Sequence, residues 1–356
     1  MIIEPKVKSS ILLTAHPEGC KQLVKEQIEY VKNNKKYTGA KKALIIGSSS
    51  GYGLATRISL AFGGSKTETI GVAYESGPKG KRTGTAGWFN TLAFNEEAKK
   101  EGIKYKNFMG DAFSNEMKED VIKFIKEEFG KVDLVIYSLA SGKRQDPVDG
   151  VMYTSALRST TGGVTGPTVD LESDTIFTQT MENATKEEEE ATVKVMGGED
   201  WNLWIRALAE ADCLTEGAKT FAYSYIGPKL TYGIYKDGTI GLAKRHLEKT
   251  ADDLDAYLKE KINDIGIYKD ELKKQDEQFD LEVSKQQLMD VLNKLFSDIE
   301  SGIKGKIDDS KISENRVNEL KDGFYNEYEN SSDNIKNTLS IMDGNIFKQE
   351  DYNENN

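Results

Sequence analysis

Hydrophobic positions in the first two thirds of the chain form short continuous runs, and amphipathic helical patterns separate these runs. Leu44, Ile45 and Ile46 form one such run; it is too short for a helix and typical of a parallel strand buried on both faces. Further strand candidates lie at 69–75, up to 109, at 132–141 and at 220–227. Strands alternating with helices predict an α/β fold with a doubly wound parallel sheet.

Two of the helical patterns allow specific predictions about an apolar face and a helix cap. Val121 to Phe129 places Val121, Ile122, Ile125 and Phe129 on one apolar side, which predicts an amphipathic helix. A second pattern begins after Gly197-Gly-Glu-Asp-Trp201, where Asp200 is expected to cap the helix.

The first strand runs into a glycine-rich loop, Gly47-Ser-Ser-Ser-Gly-Tyr-Gly53, and a helical pattern opens at Leu54. Glycine is needed where the backbone turns sharply, where a pyrophosphate approaches main-chain N–H groups and where a helix packs close to a strand. The helix that follows would offer unpaired donors and partial positive charge to a phosphate. Such a loop is weak evidence by itself, because turns favour Gly and Ser for conformational reasons.

The second strand ends on an acid, Glu75, which lies 22 residues beyond Gly53. A dinucleotide-binding fold places there the carboxylate that binds the adenosine ribose hydroxyls. Because a carboxylate repels the 2′-phosphate of NADPH, the sequence predicts NADH as the cofactor. Lys79, Lys81 and Arg82 follow; they would suit that phosphate, but the pattern favours a solvated loop.

Composition separates the end of the chain from the rest. Residues 263–356 hold 22 of the 59 acidic and 12 of the 48 basic residues, so they carry −10 of the net charge of −11. All six prolines lie at or before Pro228. We therefore predict a nucleotide-binding domain at 1–262 and an acidic helical extension at 263–356. The apolar stripe from Leu288 to Ile299 favours helix, and the Asn-rich end favours disorder.

Several classes of protein are disfavoured by composition. Neither part has the basic excess of a nucleic-acid binder, and no window is long and apolar enough to span a bilayer. The N-terminus lacks the hydrophobic stretch of a signal peptide, so we expect a cytoplasmic protein. We also expect a monomer. Cys20 and Cys213 make no disulfide framework, and His16 with Cys20 supplies too few ligands for zinc, so no metal is expected.

Several motifs, in one order along the chain, carry a family resemblance. They are Gly47-Ser-Ser-Ser-Gly-Tyr-Gly53, Gly84-Thr-Ala-Gly-Trp88, Gly110-Asp-Ala-Phe-Ser114, Tyr137-Ser-Leu-Ala-Ser141, Val195-Met-Gly-Gly-Glu-Asp-Trp201 and Ala222-Tyr-Ser-Tyr-Ile-Gly227, together with Met1-Ile-Ile and His16-Pro-Glu-Gly-Cys20. Across residues 1–262 the chain resembles the FabV-type enoyl-acyl-carrier-protein reductase / trans-2-enoyl-CoA reductase family. The resemblance implies a Rossmann fold of the enlarged short-chain dehydrogenase type. It also implies NADH-dependent reduction of enoyl thioesters of acyl carrier protein or CoA, in fatty acid biosynthesis and lipid metabolism.

The resemblance also assigns residues to the cofactor. It implies that the pyrophosphate is held by Ser48, Ser49, Ser50, Gly51, Tyr52 and Gly53, the ribose by Tyr74 and Glu75, the adenine by Asp111 and Ala112, and the nicotinamide half by Leu139, Ala140 and Lys244.

The family's catalytic signature, Tyr-x8-Lys, is matched by Tyr235 and Lys244, and Tyr225 resembles its substrate-contacting tyrosine. Hydride delivery to C3 leaves negative charge on the thioester oxygen, which a phenol can hydrogen-bond and protonate. A neighbouring ammonium favours the phenolate. Nine positions on one helix would put the pair on opposite faces, so we predict that Tyr235 lies in a turn before the helix carrying Lys244.

Two alternatives remain open. Tyr232 and Lys236 form the Tyr-x3-Lys pair of ordinary short-chain carbonyl reductases, which needs a regular helix that Gly233 and Gly238 disfavour. After residue 262, the family's last buried strand, its loop beside the nicotinamide and its apolar substrate helix have no match in this sequence. That departure favours the second alternative, in which the protein is a non-catalytic nucleotide-binding relative of the family.

Overall fold

The structure is a computed structural model that describes residues 7–8, 11–12, 14–34, 36–80, 82–170, 173, 175–225 and 231–261. The predicted acidic extension at 263–356, with its apolar stripe, lies outside the described residues. The domain boundary near residue 262 therefore stays a prediction.

Strands and helices alternate through the described chain. In chain order they are β1 (Val7–Lys8), β2 (Ile11–Leu12), α1 (Pro17–Asn33), β3 (Lys42–Ile46), α2 (Gly51–Phe62), β4 (Glu68–Ala73), α3 (Ala86–Lys100), β5 (Tyr105–Met109), α4 (Asn115–Phe124), β6 (Val132–Tyr137), β7 (Lys143–Gln145), β8 (Met152–Thr154), β9 (Val164–Asp170), β10 (Thr175–Met181), α5 (Lys186–Met196), α6 (Glu199–Glu210), β11 (Leu214–Ala222) and α7 (Thr239–Lys261). A single π-helical turn, Ile125–Phe129, extends α4. None of the helices described combines the length and apolar character that crossing a membrane requires.

The central sheet has five strands in the order β11-β6-β3-β4-β5, and every neighbouring pair is parallel. The chain moves outward from β3 through β4 to β5, then returns to the other side of β3 for β6 and β11. This is the predicted doubly wound arrangement. In such sheets the crevice for a ligand lies at the carboxyl ends of the strands, where the strand order reverses, here between β3 and β6.

Both faces of the sheet are covered, which explains the continuous apolar runs. Leu44 and Ile46 pack in one hydrophobic cluster with residues of α4, α6 and α7, such as Val121, Trp204 and Leu254. Ala43 and Ile45 face the opposite side, together with Leu60 of α2. Successive side chains of a strand point to opposite faces, so a strand buried on both sides needs apolar residues at every position.

Several boundaries differ from the sequence expectations. The strands expected at 69–75 and 132–141 end earlier, at Ala73 and Tyr137. The helix expected at Val121–Phe129 begins earlier, at Asn115, because the Ser114 hydroxyl accepts a hydrogen bond from Met117 N and caps it. The last strand starts at Leu214 and ends at Ala222, so Tyr225 lies beyond it. The prediction that Asp200 caps α6 is wrong. Gly198 is the N-cap, and the Asp200 side chain is buried in hydrogen bonds to Lys118 and Tyr137 instead.

An antiparallel pair, β9 with β10, has no counterpart in the sequence expectations. Every side chain of β10 is exposed except that of Met181, which is half-buried. A pair of strands that faces solvent needs no alternation of apolar and polar residues, and this Thr- and Gly-rich segment shows none. The signal used for the buried strands is therefore missing here.

Candidate active site

The loop after β3 contains glycines at positions where the surrounding backbone leaves no room for a side chain. Gly47 has φ +91°, and a Cβ there would lie 2.1 Å from Ser138 O. A Cβ on Gly53 would lie 1.9 Å from Gly47 O, because the first turn of α2 packs directly on the strand end. Gly47 N and Ser48 N donate to Val72 O at 2.8 and 3.0 Å, which fixes the loop to β4.

The N-terminus of α2 is open. Ser50 is its N-cap in extended conformation, and its hydroxyl accepts no hydrogen bond from the first turn, which also lacks acidic residues. The first N–H groups of such a helix suit a phosphate. The predicted residues Gly51 and Tyr52 lie in this first turn; Tyr52 is 68% exposed and stacks on Tyr223, with ring centroids 5.3 Å apart.

Glu75 follows β4 and is held by Ser49, which the resemblance assigned to the pyrophosphate, and by contacts of Asn90 and Gly87 that the sequence analysis did not predict. Ser49 Oγ donates to Glu75 Oε1 at 2.6 Å, and Asn90 Nδ2 donates to Ser49 O at 3.1 Å. A Cβ on Gly87 would lie 2.0 Å from Glu75 Oε1. Gly87 lies in the first turn of α3, whose positive end favours a carboxylate. In the sequence, the motif Gly84-Thr-Ala-Gly-Trp88 was the only indication that this helix start approaches Glu75. Tyr74, beside Glu75, is 80% exposed.

The remaining predicted cofactor residues follow β5 and β6. Asp111 Oδ1 accepts from Phe113 N at 2.9 Å, which closes a tight turn, and Ala112 is buried, with its carbonyl accepting from Trp204 Nε1 at 3.0 Å. Leu139 and Ala140 come just after Ser138, whose N donates to Ile46 O at 2.8 Å. The structure thus brings the predicted cofactor segments that follow β3, β4, β5 and β6 to the carboxyl edge of one sheet, while Lys244 lies on α7.

Tyr235 lies in a turn that ends where α7 begins at Thr239, and α7 carries Lys244. Its N–H donates to Thr231 O at 2.9 Å. A Cβ on Gly241 would lie 1.9 Å from Lys236 O, so the first turn of α7 packs closely on this turn. The predicted placement of the two residues, one in a turn and one in the following helix, is confirmed.

The turn is anchored by a distant segment that the sequence analysis missed. Thr160 donates to Asp237 O through its N at 3.0 Å and its hydroxyl at 2.7 Å. Thr239 N donates to Arg158 O at 2.9 Å, and the Thr239 hydroxyl donates to Ala156 O. Residues 156–160, here called the anchor segment, therefore fix the position of the Tyr235 turn.

Two of the predicted tyrosines contact each other. The rings of Tyr225 and Tyr235 meet edge to face, with centroids 5.2 Å apart and an interplanar angle of 88°. Tyr225 is 48% exposed and Tyr235 is half-buried. Residues 226–230, which join them, lie outside the described residues. The contact places two phenols side by side, one of them open to solvent.

Lys244 is only 9% exposed, and burial lowers the pKa of its ammonium. Within the described part of the chain it has no hydrogen-bond or ion-pair partner. The Lys244 Nζ is not among the fully buried atoms left without a partner, so the ammonium keeps some access to solvent. A mostly buried cation without a protein partner is a candidate to bind a ligand's hydroxyl or phosphate. By contrast, residues 232–237 form turns, so the Tyr-x3-Lys pair does not lie on a regular helix; Lys236 Nζ lies 4.6 Å from the centroid of the Tyr232 ring.

In the ranges that the structure describes, no cluster of three side chains is suited to bind a metal ion. His16 instead caps α1, its Nδ1 accepting from Gly19 N at 3.2 Å. The glycine loop, the open end of α2, Glu75 and the partnerless Lys244 together fit a dinucleotide.

Two family models match the chain. The catalytic region of trans-2-enoyl-CoA reductase matches residues 82–268, and the NAD(P)H binding domain of trans-2-enoyl-CoA reductase matches residues 2–80. The chain belongs to the trans-2-enoyl-CoA reductase family. The resemblance read from the motifs is confirmed.

Individual relatives agree with the family models. The chain is 57% identical over 263 residues to trans-2-enoyl-CoA reductase [NADH] of Clostridium beijerinckii, covering 74% of this chain and 66% of the relative. It is 53% identical over 268 residues to enoyl-[acyl-carrier-protein] reductase [NADH] 2 of Photobacterium profundum, covering 75% and 66%. The chain thus spans just under two thirds of the length of these relatives.

A solved structure of this family has the same fold. The crystal structure of trans-2-enoyl-CoA reductase from Clostridium acetobutylicum in complex with NADH superposes with a TM-score of 0.72 at 48% identity. The superposition covers 76% of this chain and 68% of that one.

Proposed function

We propose that this protein reduces the 2,3-double bond of enoyl thioesters with NADH. The observation that carries the proposal is the Tyr225–Tyr235 contact beside the helix that bears the partnerless Lys244. Relatives that are 53–57% identical are named as NADH-dependent reductases of trans-2-enoyl-CoA and of enoyl-acyl-carrier protein. Because the chain covers 66% of their length, its activity is a proposal to be tested on this chain.

The predicted cofactor residues would bind NADH along the carboxyl edge of the sheet. The open N-terminus of α2 would bind the pyrophosphate, Asp111 and Ala112 would lie at the adenine, and Leu139 and Ala140 at the nicotinamide half. Glu75, held by Ser49 and Gly87, would accept hydrogen bonds from the ribose. A 2′-phosphate at the same place would meet a like charge, which favours NADH over NADPH.

When bound, NADH supplies the hydride that C3 of the enoyl group receives. Tyr235 would donate a hydrogen bond to the thioester oxygen, where negative charge develops only as the reaction proceeds. Lys244 would bind the cofactor ribose, and its positive charge would stabilise the phenolate that Tyr235 becomes when it gives its proton to the thioester oxygen. The exposed ring of Tyr225 would contact the acyl thioester and, through its edge-to-face packing, hold the Tyr235 ring.

An oxidation assay with NADH and crotonyl-CoA tests the activity directly. We expect NADH consumption with crotonyl-CoA or crotonyl-acyl-carrier protein, and little with NADPH. A ketone substrate serves as the control for the carbonyl-reductase alternative, and turnover of the ketone in place of crotonyl-CoA would favour Tyr232 and Lys236. Calorimetric binding of NADH without any turnover would establish the non-catalytic relative instead.

A further inference from the structure

A buried polar cluster joins α4, α6 and the end of β6. Asp200, in the first turn of α6, accepts from Lys118 Nζ at 2.8 Å and from the Tyr137 hydroxyl at 3.1 Å. The three residues are 2%, 4% and 5% exposed. Here they are called the Asp200 network.

One arm of the Asp200 network reaches the loop after β5. Lys118 Nζ also donates to the carbonyl oxygens of Phe113 at 2.8 Å and Ala112 at 3.4 Å. Trp204, one turn along α6 from Asp200, donates to the same Ala112 oxygen at 3.0 Å. The loop that carries Asp111 and Ala112 is therefore fixed to α6 by two side chains.

The other arm fixes the end of β6. Tyr137 is the last residue of that strand, and its ring stacks on Trp201 of α6 with centroids 6.5 Å apart. Its backbone oxygen accepts from Tyr223 N at 3.1 Å. Leu139 and Ala140 follow two and three residues later. One carboxylate thus joins the loop on the adenine side to the strand end on the nicotinamide side.

Stability alone is a poor explanation for such a network. Burial raises the pKa of Asp200, and the Lys118 ammonium and the Tyr137 hydroxyl oppose that rise. Buried ion pairs lose so much hydration that apolar replacements of similar volume are often neutral or stabilising. A sheet face already packed with Trp201, Trp204 and Leu208 would accept apolar residues at these positions. What an apolar pair cannot reproduce is the set of directed hydrogen bonds to Ala112, Phe113 and Tyr137.

We propose that the Asp200 network is a positioning device that holds the adenine-side loop and the nicotinamide-side strand end of the cofactor site in one geometry. Asp200 is thereby a positioning residue for cofactor binding. This inference rests on the proposed function for its ligand, NADH, but the geometry it describes belongs to the ligand-free protein.

The test removes both charges together, because removing one partner of a buried pair leaves an unpaired charge and risks unfolding. The variant Lys118→Met/Asp200→Leu is compared with the parent and with Lys131→Met/Asp212→Asn. The second variant removes an ion pair of 2.6 Å that is exposed and precedes β6 and β11 at the opposite edge of the sheet. We expect Lys118→Met/Asp200→Leu to fold and to melt a few degrees below the parent, because the buried Tyr137 hydroxyl loses its acceptor.

Although it stays folded, Lys118→Met/Asp200→Leu should bind NADH about tenfold more weakly, by analogy with outer-shell partners of metal ligands, whose loss costs about 10–100-fold. The KM for NADH should rise, while the KM for crotonyl-CoA stays unchanged. The control variant should match the parent in all three measurements. Parent-like NADH affinity in Lys118→Met/Asp200→Leu would overturn the proposal.

Amide hydrogen exchange of the ligand-free full chain supplies a readout that is independent of the proposed function. We expect faster exchange at residues 112–114 and 138–140 in Lys118→Met/Asp200→Leu and no change in the control variant. Unchanged exchange at both segments would show that the network only fills space. If the parent itself binds no NADH, the proposed function fails, and the exchange measurement still decides whether the network positions these segments.

Discussion

The two sides of the candidate site are built differently. On the cofactor side, Gly47, Gly53 and Gly87 lie so close to backbone or to Glu75 that a Cβ would approach within 2.1 Å of another atom. On the chemical side, Tyr225 is half exposed, and Lys244 is buried with no partner among the described residues. The cofactor side is fixed by close packing and offers the open N-terminus of α2 to a phosphate, whereas the chemical side leaves a mostly buried ammonium without a partner in the described ranges.

The difference follows from what each side has to do. A dinucleotide is bound by shape and by backbone donors, so the surface that receives it can be fixed in advance by packing. Charge on the substrate develops only during the reaction, so the groups that stabilise it must be aimed at a place still empty in the free protein. The chemical side should therefore reduce stability, and the cofactor side should not.

The largest effect is expected on the chemical side. Replacing Tyr235 by Phe should lower kcat on the order of 100-fold or more, because one donor to developing charge is lost. NADH affinity measured by calorimetry should stay at the parent value. Tyr232→Phe is the matched control in the same turn and should be mild. A damaging Tyr232→Phe together with a mild Tyr235→Phe would assign the chemistry to the Tyr232–Lys236 pair.

A smaller effect is expected on the cofactor side. Gly87→Ala would place a methyl group 2.0 Å from Glu75 Oε1 and displace the carboxylate. We expect about tenfold weaker NADH binding, since overpacking costs about 1–3 kcal/mol, and a smaller preference for NADH over NADPH. Gly166→Ala is the control, because a Cβ there meets no atom within 4 Å. Unchanged cofactor preference in Gly87→Ala would contradict this account of Glu75.

The partnerless cation should destabilise the free protein. Burial lowers the pKa of Lys244, so the folded state holds the charged form less readily than the unfolded state does at neutral pH. Lys244→Met should raise Tm by a few degrees, since about 1 kcal/mol shifts Tm by about 2–4 °C in a domain of this size, while turnover is lost. Lys259→Met is an exposed control on the same helix. A lower Tm for Lys244→Met would show that the ammonium stabilises the free protein.

The smallest effect concerns how the thermal stability of the protein depends on pH, through a histidine on α7. His246 Nδ1 accepts from Gly198 N at 3.0 Å, which ties α7 to the start of α6. Burial lowers the pKa of His246 below 6.5, with Glu199 and Asp253 opposing and Lys249 and Lys194 assisting. The unfolded chain therefore takes up the proton first, and stability should fall as the pH drops below about 6.5. Tm measured from pH 7 to pH 5 should decline less in His246→Gln, whose amide oxygen still accepts this bond. If Tm declines equally with falling pH in the parent and in His246→Gln, protonation of His246 does not cause the loss of stability.

Much of the fold and many site positions were predictable because their signals are local. Leu44 to Ile46 reads as a buried strand from three adjacent residues, and Glu75 lies two residues beyond the end of β4. Tyr235 was placed in a turn by its spacing from Lys244 and by Gly238. Each of these inferences needs only neighbouring residues, whose steric and hydrophobic preferences act within one element.

Only the tertiary structure showed which distant groups meet. Asp200 looked like a helix cap, since Asp at such a position commonly is one, yet its partners lie 82 and 63 residues away in Lys118 and Tyr137. The fit of Gly87 against Glu75 and the anchor segment's bonds to the Tyr235 turn are likewise contacts between separate elements. The sequence indicated which segments form the buried strands, because a parallel sheet covered on both faces requires apolar runs. It did not determine these contacts. A buried polar side chain forms hydrogen bonds with whichever polar groups lie close to it in the folded protein, and the packing of the whole chain decides which groups those are.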